Sequence, residues 1–252
     1  MVESESRFLW RQLIFFLKLP VLLVQILMGK KRSSELYKPL KELREFLFEP
    51  KATVTLIAIN LIVFIFQILT PLWQNLIFQP VDLFQFNIIP IVSSWFLHAS
   101  LMHLLANMLF LYIFGRIIEM HFGMCRMLMI YFGSAIISII IAGLAGQGGI
   151  GASGAIAGLI AAAILIDPFY LTYLLAGIPI PIIVIGWLAI ISDITGILFP
   201  MATNIGHFAH LGGYLAITIL VFLLEKKDRD QMKLGLLINV LFVILLLLLY
   251  SL

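Results

Sequence analysis

The sequence predicts an all-α protein that crosses a membrane several times, because its composition is strongly apolar and its apolar runs are long. Of its 252 residues, 62% are hydrophobic and only 12% are charged, whereas a soluble domain averages about 25% charged residues. The mean hydropathy is +1.12. Apolar runs of about 18 or more residues match a bilayer core about 30 Å thick. The single cysteine, Cys125, cannot form an internal disulfide.

Seven apolar stretches are predicted to span the membrane. They are 52–70, 101–118, 126–146, 153–168, 179–198, 207–224 and 234–252. The fourth is short for a span, so we expect it to continue into a neighbouring loop. The fifth begins with Pro179 and Pro181, where the missing proline N–H is tolerated. The pattern predicts a bundle of six helices and a seventh, C-terminal span.

The N-terminal stretch 7–28 is predicted to be a helix lying in the membrane interface. Arg11, Lys18 and Gln25 recur every seven residues in an otherwise apolar stretch, which places them on one helical face. No cleavage site of small residues follows, so a secretory signal is not predicted. If this helix spans instead, the count becomes eight and the orientation of the core is unchanged.

The lysines and arginines predict how the bundle is oriented. Ten of the sixteen precede the first core span, and the others lie at 116, 126 and 226–233. The loops 71–100, 147–152 and 199–206 contain none. Because basic residues favour the cytoplasmic side, these loops are expected to face outside and the N-terminal segment to face the cytoplasm. Basic residues next to spans do not indicate a nucleic-acid partner.

This orientation brings five reactive or polar side chains to one depth. Spans two, four and six all begin at the outer surface, and their first turns contain His103, Asn107, Ser153, His207 and His210. Polar groups inside a membrane usually face the bundle interior or a water-filled cavity. We therefore expect these side chains to share a cavity.

Within this group, Ser153 and His210 suit nucleophilic catalysis. A serine hydroxyl is a weak nucleophile until a base removes its proton, and histidine is the usual base. Gly212 and Gly213 follow His210, and small residues let helices approach closely. His103 and Asn107 are four residues apart, so both project from one side of their helix and offer donors for an oxyanion.

Three stretches resemble the rhomboid family of intramembrane serine proteases. They are FLHASLMHLLANMLFLYIFGRIIE (96–119), GASGAIAGL (151–159) and HFAHLGG (207–213). The resemblance covers roughly residues 50–224. It implies a six-helix catalytic bundle in which Ser153 is the nucleophile and His210 the general base. It also assigns His103, Asn107 and the Ser153 N–H to an oxyanion hole.

The resemblance further implies structural roles for His98, Arg116 and Glu119, and a serine–histidine dyad without a catalytic carboxylate. One departure concerns the residue four positions after the serine. Family members often have an aromatic side chain there that stacks on the base, but here the residue is Ala157. The seventh span is similar to the longer rhomboid subtype.

The predicted function is therefore an endopeptidase of the cell membrane that cuts transmembrane segments of other proteins near the outer face. Its partners are transmembrane substrates and the lipid bilayer, and no cofactor, metal or nucleic acid is implied. The expected organisation is a cytoplasmic segment over 1–50, a catalytic domain over 51–224, and a basic loop with the seventh helix over 225–252.

Other interpretations remain open from sequence alone. Ser153 by itself is more typical of a small packing residue than of a nucleophile. Four histidines, His98, His103, His207 and His210, are candidate zinc ligands, although no His-Glu-x-x-His helix is present. A non-catalytic adaptor or chaperone of the same fold is the main alternative to the protease. His98 and His207 are expected to bond loop carbonyls, and Asp193 to cap a helix or face water.

Overall fold

A computed structural model describes residues 5–173, 177–199 and 205–250 of the chain. These residues form a helical bundle with one short hairpin. The α-helices are α1 Glu5–Leu27, α2 Lys38–Phe48, α3 Lys51–Leu69, α4 Pro80–Phe84, α5 Ile88–Ser93, α6 Leu101–Phe110, α7 Arg116–Phe122, α8 Met124–Leu144, α9 Ser153–Ile166, α10 Ile182–Leu198, α11 His207–Leu220 and α12 Lys226–Tyr250. Strands β1 (Leu171–Thr172) and β2 (Ile180–Pro181) pair antiparallel between α9 and α10.

The chain is an all-α polytopic membrane protein, as its composition predicts. Within the described residues, five helices are long and apolar enough to cross a bilayer, and three shorter apolar helices accompany them. A π-helical turn, Leu111–Gly115, joins α6 and α7 into the continuous span Leu101–Phe122. Each predicted apolar stretch contains a helix, and most ends agree within a few residues. Parts of the predicted loop 199–206 and the last two residues lie outside the described residues.

The segment 225–233 differs from its prediction. It was expected to be a basic loop, but α12 begins at Lys226 and includes those charged turns. Lysine, arginine and glutamine are good helix formers, so polarity alone does not end a helix. Arg126 at the start of α8 forms ion pairs with Glu225 and Asp228, which attaches this helix end to the bundle.

Helices α8, α9 and α11 form the centre of the bundle through contacts at small residues. A Cβ atom added to Gly158 would overlap the Ser134 side chain of α8, and one added to Gly213 would overlap the Gly154 carbonyl of α9. Only glycine permits this separation, because any side chain there would strike backbone or a short side chain. The close approach predicted from the glycine spacing is therefore present.

The bundle has two chemically different ends. Helices α6, α9 and α11 begin at one end of the bundle, which we call the serine end. At the far end, Glu119 accepts hydrogen bonds of 2.8 Å from the Ala52 and Thr53 backbone N–H groups and from the Thr53 hydroxyl. Its carboxylate thus stabilises the start of α3, where helix N–H groups lack partners. The buried Arg116 donates to the Phe46 carbonyl at 2.9 Å and packs over the Phe46 ring.

Candidate active site

Ser153 is the first residue of α9, and the loop before it depends on glycine. Gly151 has φ +131°, a backbone conformation that side chains disfavour. A Cβ atom there would lie 2.9 Å from His103 Cε1, 3.1 Å from His103 Nε2 and 3.7 Å from Ser153 Oγ. The Gly151 N–H donates to the Ser94 carbonyl at 2.8 Å, so the loop is anchored to the segment before α6. His103 and Ser153 therefore flank the same small space.

One contact fixes the main chain of His103, and a second orients its ring. Ser100 caps α6 by accepting from the His103 N–H at 3.1 Å. The Ala99 N–H donates to His103 Nδ1 at 3.2 Å. Because Nδ1 is an acceptor, the neutral ring has its hydrogen on Nε2. That N–H faces the Gly151–Ser153 side, where an oxyanion donor would be needed.

Asn107 lies one turn along α6 and is buried. Its Nδ2 donates to the His103 carbonyl at 2.9 Å, within the same helix. One Nδ2 hydrogen is used in this bond, and an amide nitrogen has two. Asn107 thus retains a hydrogen that a ligand oxygen could accept, but within the described residues it makes no bond to Ser153.

His210, on α11, is held by an acidic residue of another helix. Its Nδ1 lies 2.8 Å from Asp193 Oδ1 on α10. The same oxygen lies 2.8 Å from His207 Nδ1, and the Tyr214 hydroxyl donates to Asp193 Oδ2 at 2.8 Å. His207, His210 and Tyr214 occur at spacings of three and four residues, which puts them on one face of α11. The Asp193 side chain is only 9% exposed.

Two predictions are wrong at this cluster. Asp193 neither caps a helix nor faces water, because α10 continues past it to Leu198 and its carboxylate is enclosed by three donors. The His207 ring bonds this carboxylate rather than a loop carbonyl. The presence of an acid within an apolar span was the available sequence signal. Its partners depend on how α10 is rotated against α11, which a local pattern does not report.

Ser153 and His210 lie on neighbouring helices that are in close contact. A Cβ atom added to Gly213 would approach Ala157 Cβ at 2.8 Å, so a larger residue at 157 would push α9 away from α11. No direct hydrogen bond joins Ser153 to His210 among the described residues. The catalytic roles of these residues stay predictions.

The four candidate zinc ligands do not come together in one group within the described chain. His98 and His103 form one ring pair, with centroids 5.1 Å apart. His207 and His210 belong to the Asp193 cluster, whose potential ligand atoms lie within 4.8 Å of one another. This trio has the donor types of a cation site, but the 2.8 Å separations are those of N–H···O hydrogen bonds.

His98 attaches the segment before α6 to α3. Its backbone N–H donates to Gln67 Oε1 at 2.9 Å, and Gln67 Nε2 donates to its carbonyl at 3.2 Å. The ring bonds the Phe96 carbonyl at 3.3 Å, as expected for a structural histidine of a loop. Burial, and secondarily the nearby His103, lowers the pKa of His98 from 6.5 to about 4.

Comparison with known proteins identifies the family of the chain. Residues 85–227 match the Rhomboid domain family. A mitochondrial rhomboid-like protein 12 of Arabidopsis thaliana is 32% identical over 159 residues, covering 55% of this chain and 47% of that protein. A chloroplastic rhomboid-like protein 11 of the same plant is 29% identical over 157 residues, covering 56% of each chain. The chain spans about half the length of these curated relatives.

Proposed function

Because the chain belongs to the rhomboid family, we propose that it is an intramembrane serine endopeptidase that cuts transmembrane segments of other membrane proteins. The observation that carries this proposal is the shared position of three helix starts. The first turns of α6, α9 and α11 lie at the serine end and contribute His103, Ser153 and His210. Such a set combines a nucleophile, a base and an oxyanion donor, which acyl transfer requires.

In the proposed reaction, His210 Nε2 takes the proton of the Ser153 hydroxyl as Oγ attacks the scissile carbonyl. The Nδ1 contact with Asp193 supports this role, because a ring with its hydrogen on Nδ1 leaves Nε2 as the acceptor. The direct Ser153–His210 bond is expected to form with substrate bound, since catalytic hydrogen bonds are often long in free enzymes.

The tetrahedral oxyanion is proposed to be held by His103 Nε2–H, Asn107 Nδ2–H and the Ser153 backbone N–H. The last group is at a helix N-terminus, where N–H groups have no partner within the helix and the helix dipole favours negative charge. His210 then protonates the leaving amine. Water hydrolyses the acyl-enzyme with His210 again acting as the base.

We further propose that the serine end lies on the outer side of the cell membrane and that residues 1–50 are cytoplasmic. The support is the distribution of charge, since the basic residues lie before α3 and at the far end. Residues 51–224 form the proposed catalytic domain, and α12 packs on it through Asn239, whose Nδ2 donates to the Ile164 carbonyl at 2.7 Å.

A single-span substrate reconstituted with the purified chain tests this function. We expect cleavage by the unaltered chain, none by Ser153→Ala, and covalent labelling by a fluorophosphonate probe at Ser153 that requires His210. The control is Ser192→Ala, on an exposed position of α10. Cleavage or equal labelling in Ser153→Ala would exclude the dyad. Substrate binding without cleavage or labelling would favour the non-catalytic adaptor.

A further inference from the structure

The carboxylate of Asp193 has a geometry that goes beyond a serine–histidine pair. We propose that Asp193 is a positioning residue that orients His210 and stabilises its protonated form, making the functional unit Ser153–His210–Asp193. This inference rests on the proposed function. The residue acts through the base and does not itself contact the substrate.

The first support is the atom that Asp193 contacts. Asp193 Oδ1 lies 2.8 Å from His210 Nδ1, the nitrogen away from the one that would serve Ser153. This contact selects the ring form with hydrogen on Nδ1 and leaves Nε2 free to accept a proton. When Nε2 is protonated, the ring becomes a cation next to a carboxylate, which lowers the energy of that state.

The second support is how firmly the carboxylate itself is held. His207 Nδ1 shares the same oxygen at 2.8 Å, and the Tyr214 hydroxyl donates to the other oxygen at 2.8 Å. Three donors on a side chain that is 9% exposed restrict its rotation. Hydrogen bonds to an ionised acceptor are about twice as strong as neutral ones.

The third support is the shape of α10 beside the cluster. Gly196 follows Asp193 by one turn, and a Cβ atom there would overlap the ring of His207. The absence of a side chain at Gly196 therefore makes room for His207 against the carboxylate. Asp193 and Gly196 together form a face of α10 that accommodates the start of α11.

The test compares Asp193→Asn with Thr195→Ala, an exposed α10 position whose hydroxyl bonds two carbonyls of its own helix. We expect Asp193→Asn to lower kcat by about 10- to 100-fold and to change KM by no more than about twofold. This decrease in kcat is smaller than the one caused by removing the aspartate of a catalytic triad in soluble proteases. Fluorophosphonate inactivation at Ser153 should slow by the same factor. Thr195→Ala should match the unaltered chain in both assays.

A second variant, Tyr214→Phe, removes one donor to the carboxylate and leaves the Asp193–His210 contact. It should lower kcat by a few-fold without changing KM. Full kcat in folded Asp193→Asn, or full kcat in Tyr214→Phe if Asp193→Asn does not fold, would overturn the inference. Metal analysis separates the remaining interpretation, because stoichiometric zinc lost in Asp193→Asn would make the cluster a cation site instead.

Failure of this inference and failure of the proposed function give different results. If the unaltered chain cleaves nothing while probe labelling of Ser153 still depends on Asp193, the positioning role stands and proteolysis does not. A second outcome is that the unaltered chain cleaves the substrate, Ser153→Ala is inactive and Asp193→Asn is fully active. In that case the dyad of Ser153 and His210 performs the reaction without Asp193.

Discussion

At the scale of single residues, His103 and Asn107 each make a structural hydrogen bond as well as having a proposed chemical role. Asn107 donates one hydrogen to a carbonyl of its own helix, and His103 accepts from the Ala99 N–H through Nδ1. These bonds orient the groups before any ligand arrives. Preorganised donors stabilise a developing charge without a reorganisation penalty at the moment of reaction.

The first residue-scale prediction concerns Asn107→Ala. It should lower kcat by about 10²–10³, the usual effect of removing one oxyanion donor, with a smaller change in KM because the bond strengthens in the transition state. Asn60→Ala is the matched control, since Asn60 also donates to the carbonyl four residues earlier, at 2.8 Å, but on α3. It should destabilise the fold and leave kcat unchanged. Full activity in Asn107→Ala would remove this residue from the oxyanion hole.

A second residue-scale prediction concerns pH and His98. Burial lowers the pKa of His98 from 6.5 to about 4. The folded chain therefore binds fewer protons than the unfolded chain between these values, so stability falls as pH falls through this window. The full effect is about 3 kcal/mol, since one pKa unit corresponds to about 1.4 kcal/mol.

Denaturant unfolding in detergent at pH 7.5 and 4.5 measures this effect. The unaltered chain should lose more stability than His98→Asn, which keeps a polar group but does not titrate. Parallel losses in the two proteins would show that the stability of the chain does not depend on the ionisation of His98.

At the scale of helices, the site depends on the close crossing of α9 and α11. Gly213 faces the Gly154 carbonyl, and Ala157 is small enough to lie beside it. The distance between the helices that contain Ser153 and His210 is therefore set by backbone contact rather than by long side chains.

Gly213→Ala should consequently destabilise the protein by about 3 kcal/mol, at the upper end of the usual range for overpacking, because the new methyl group meets backbone atoms. Gly206→Ala, just before α11, is the matched control, since the one described atom that its Cβ would meet is Ala209 Cβ, at an ordinary 3.5 Å. Thermal unfolding in detergent measures both. Equal melting temperatures would contradict the close helix crossing.

The loop before α9 permits a similar comparison. Gly151→Ala should reduce activity strongly, because φ is +131° and the methyl group would crowd the His103 ring. Gly149→Ala, two residues earlier, should have a small effect because no atom of the described residues lies within 4 Å of the new atom. Comparable cleavage rates in the two variants would mean that the Gly151 conformation does not matter for the site.

At the scale of the whole molecule, charge separates the two ends of the bundle. The described loop residues at the serine end include no lysine or arginine. The far end contains Arg116, Arg126 and the basic residues at the start of α12. Cys125, next to Arg126, is exposed and reports on the far end. Gln74 is exposed in the segment between α3 and α4 and reports on the serine end.

An impermeant thiol reagent applied to intact cells tests the proposed orientation. A Gln74→Cys variant lacking Cys125 should react from outside. Cys125 in the unaltered chain should react only after the membrane is opened, because the basic end is expected in the cytoplasm. The reverse labelling pattern would place Ser153 at the cytoplasmic face.

The amino-acid sequence by itself determined the membrane class, the positions of the apolar helices and the end at which each helix starts. Hydropathy and spacing are local properties, and a chain that crosses a membrane alternates sides. Ser153, His103 and His210 could therefore be assigned to one end before any contact was known. The glycines of α9 and α11 likewise predicted a close crossing, because a glycine has no side chain to hold a neighbouring helix away, however the bundle is arranged.

Only the tertiary structure decided which side chains meet. The bond between Asp193 and His210 depends on the rotation and the axial position of α10 against α11, and neither is encoded in a local pattern. The same reason explains the wrong predictions for His207 and Asp193, whose partners lie on each other's helices. The start of α12 at Lys226 was missed because hydropathy marks the apolar part of a helix, whereas backbone hydrogen bonding continues through charged turns into water.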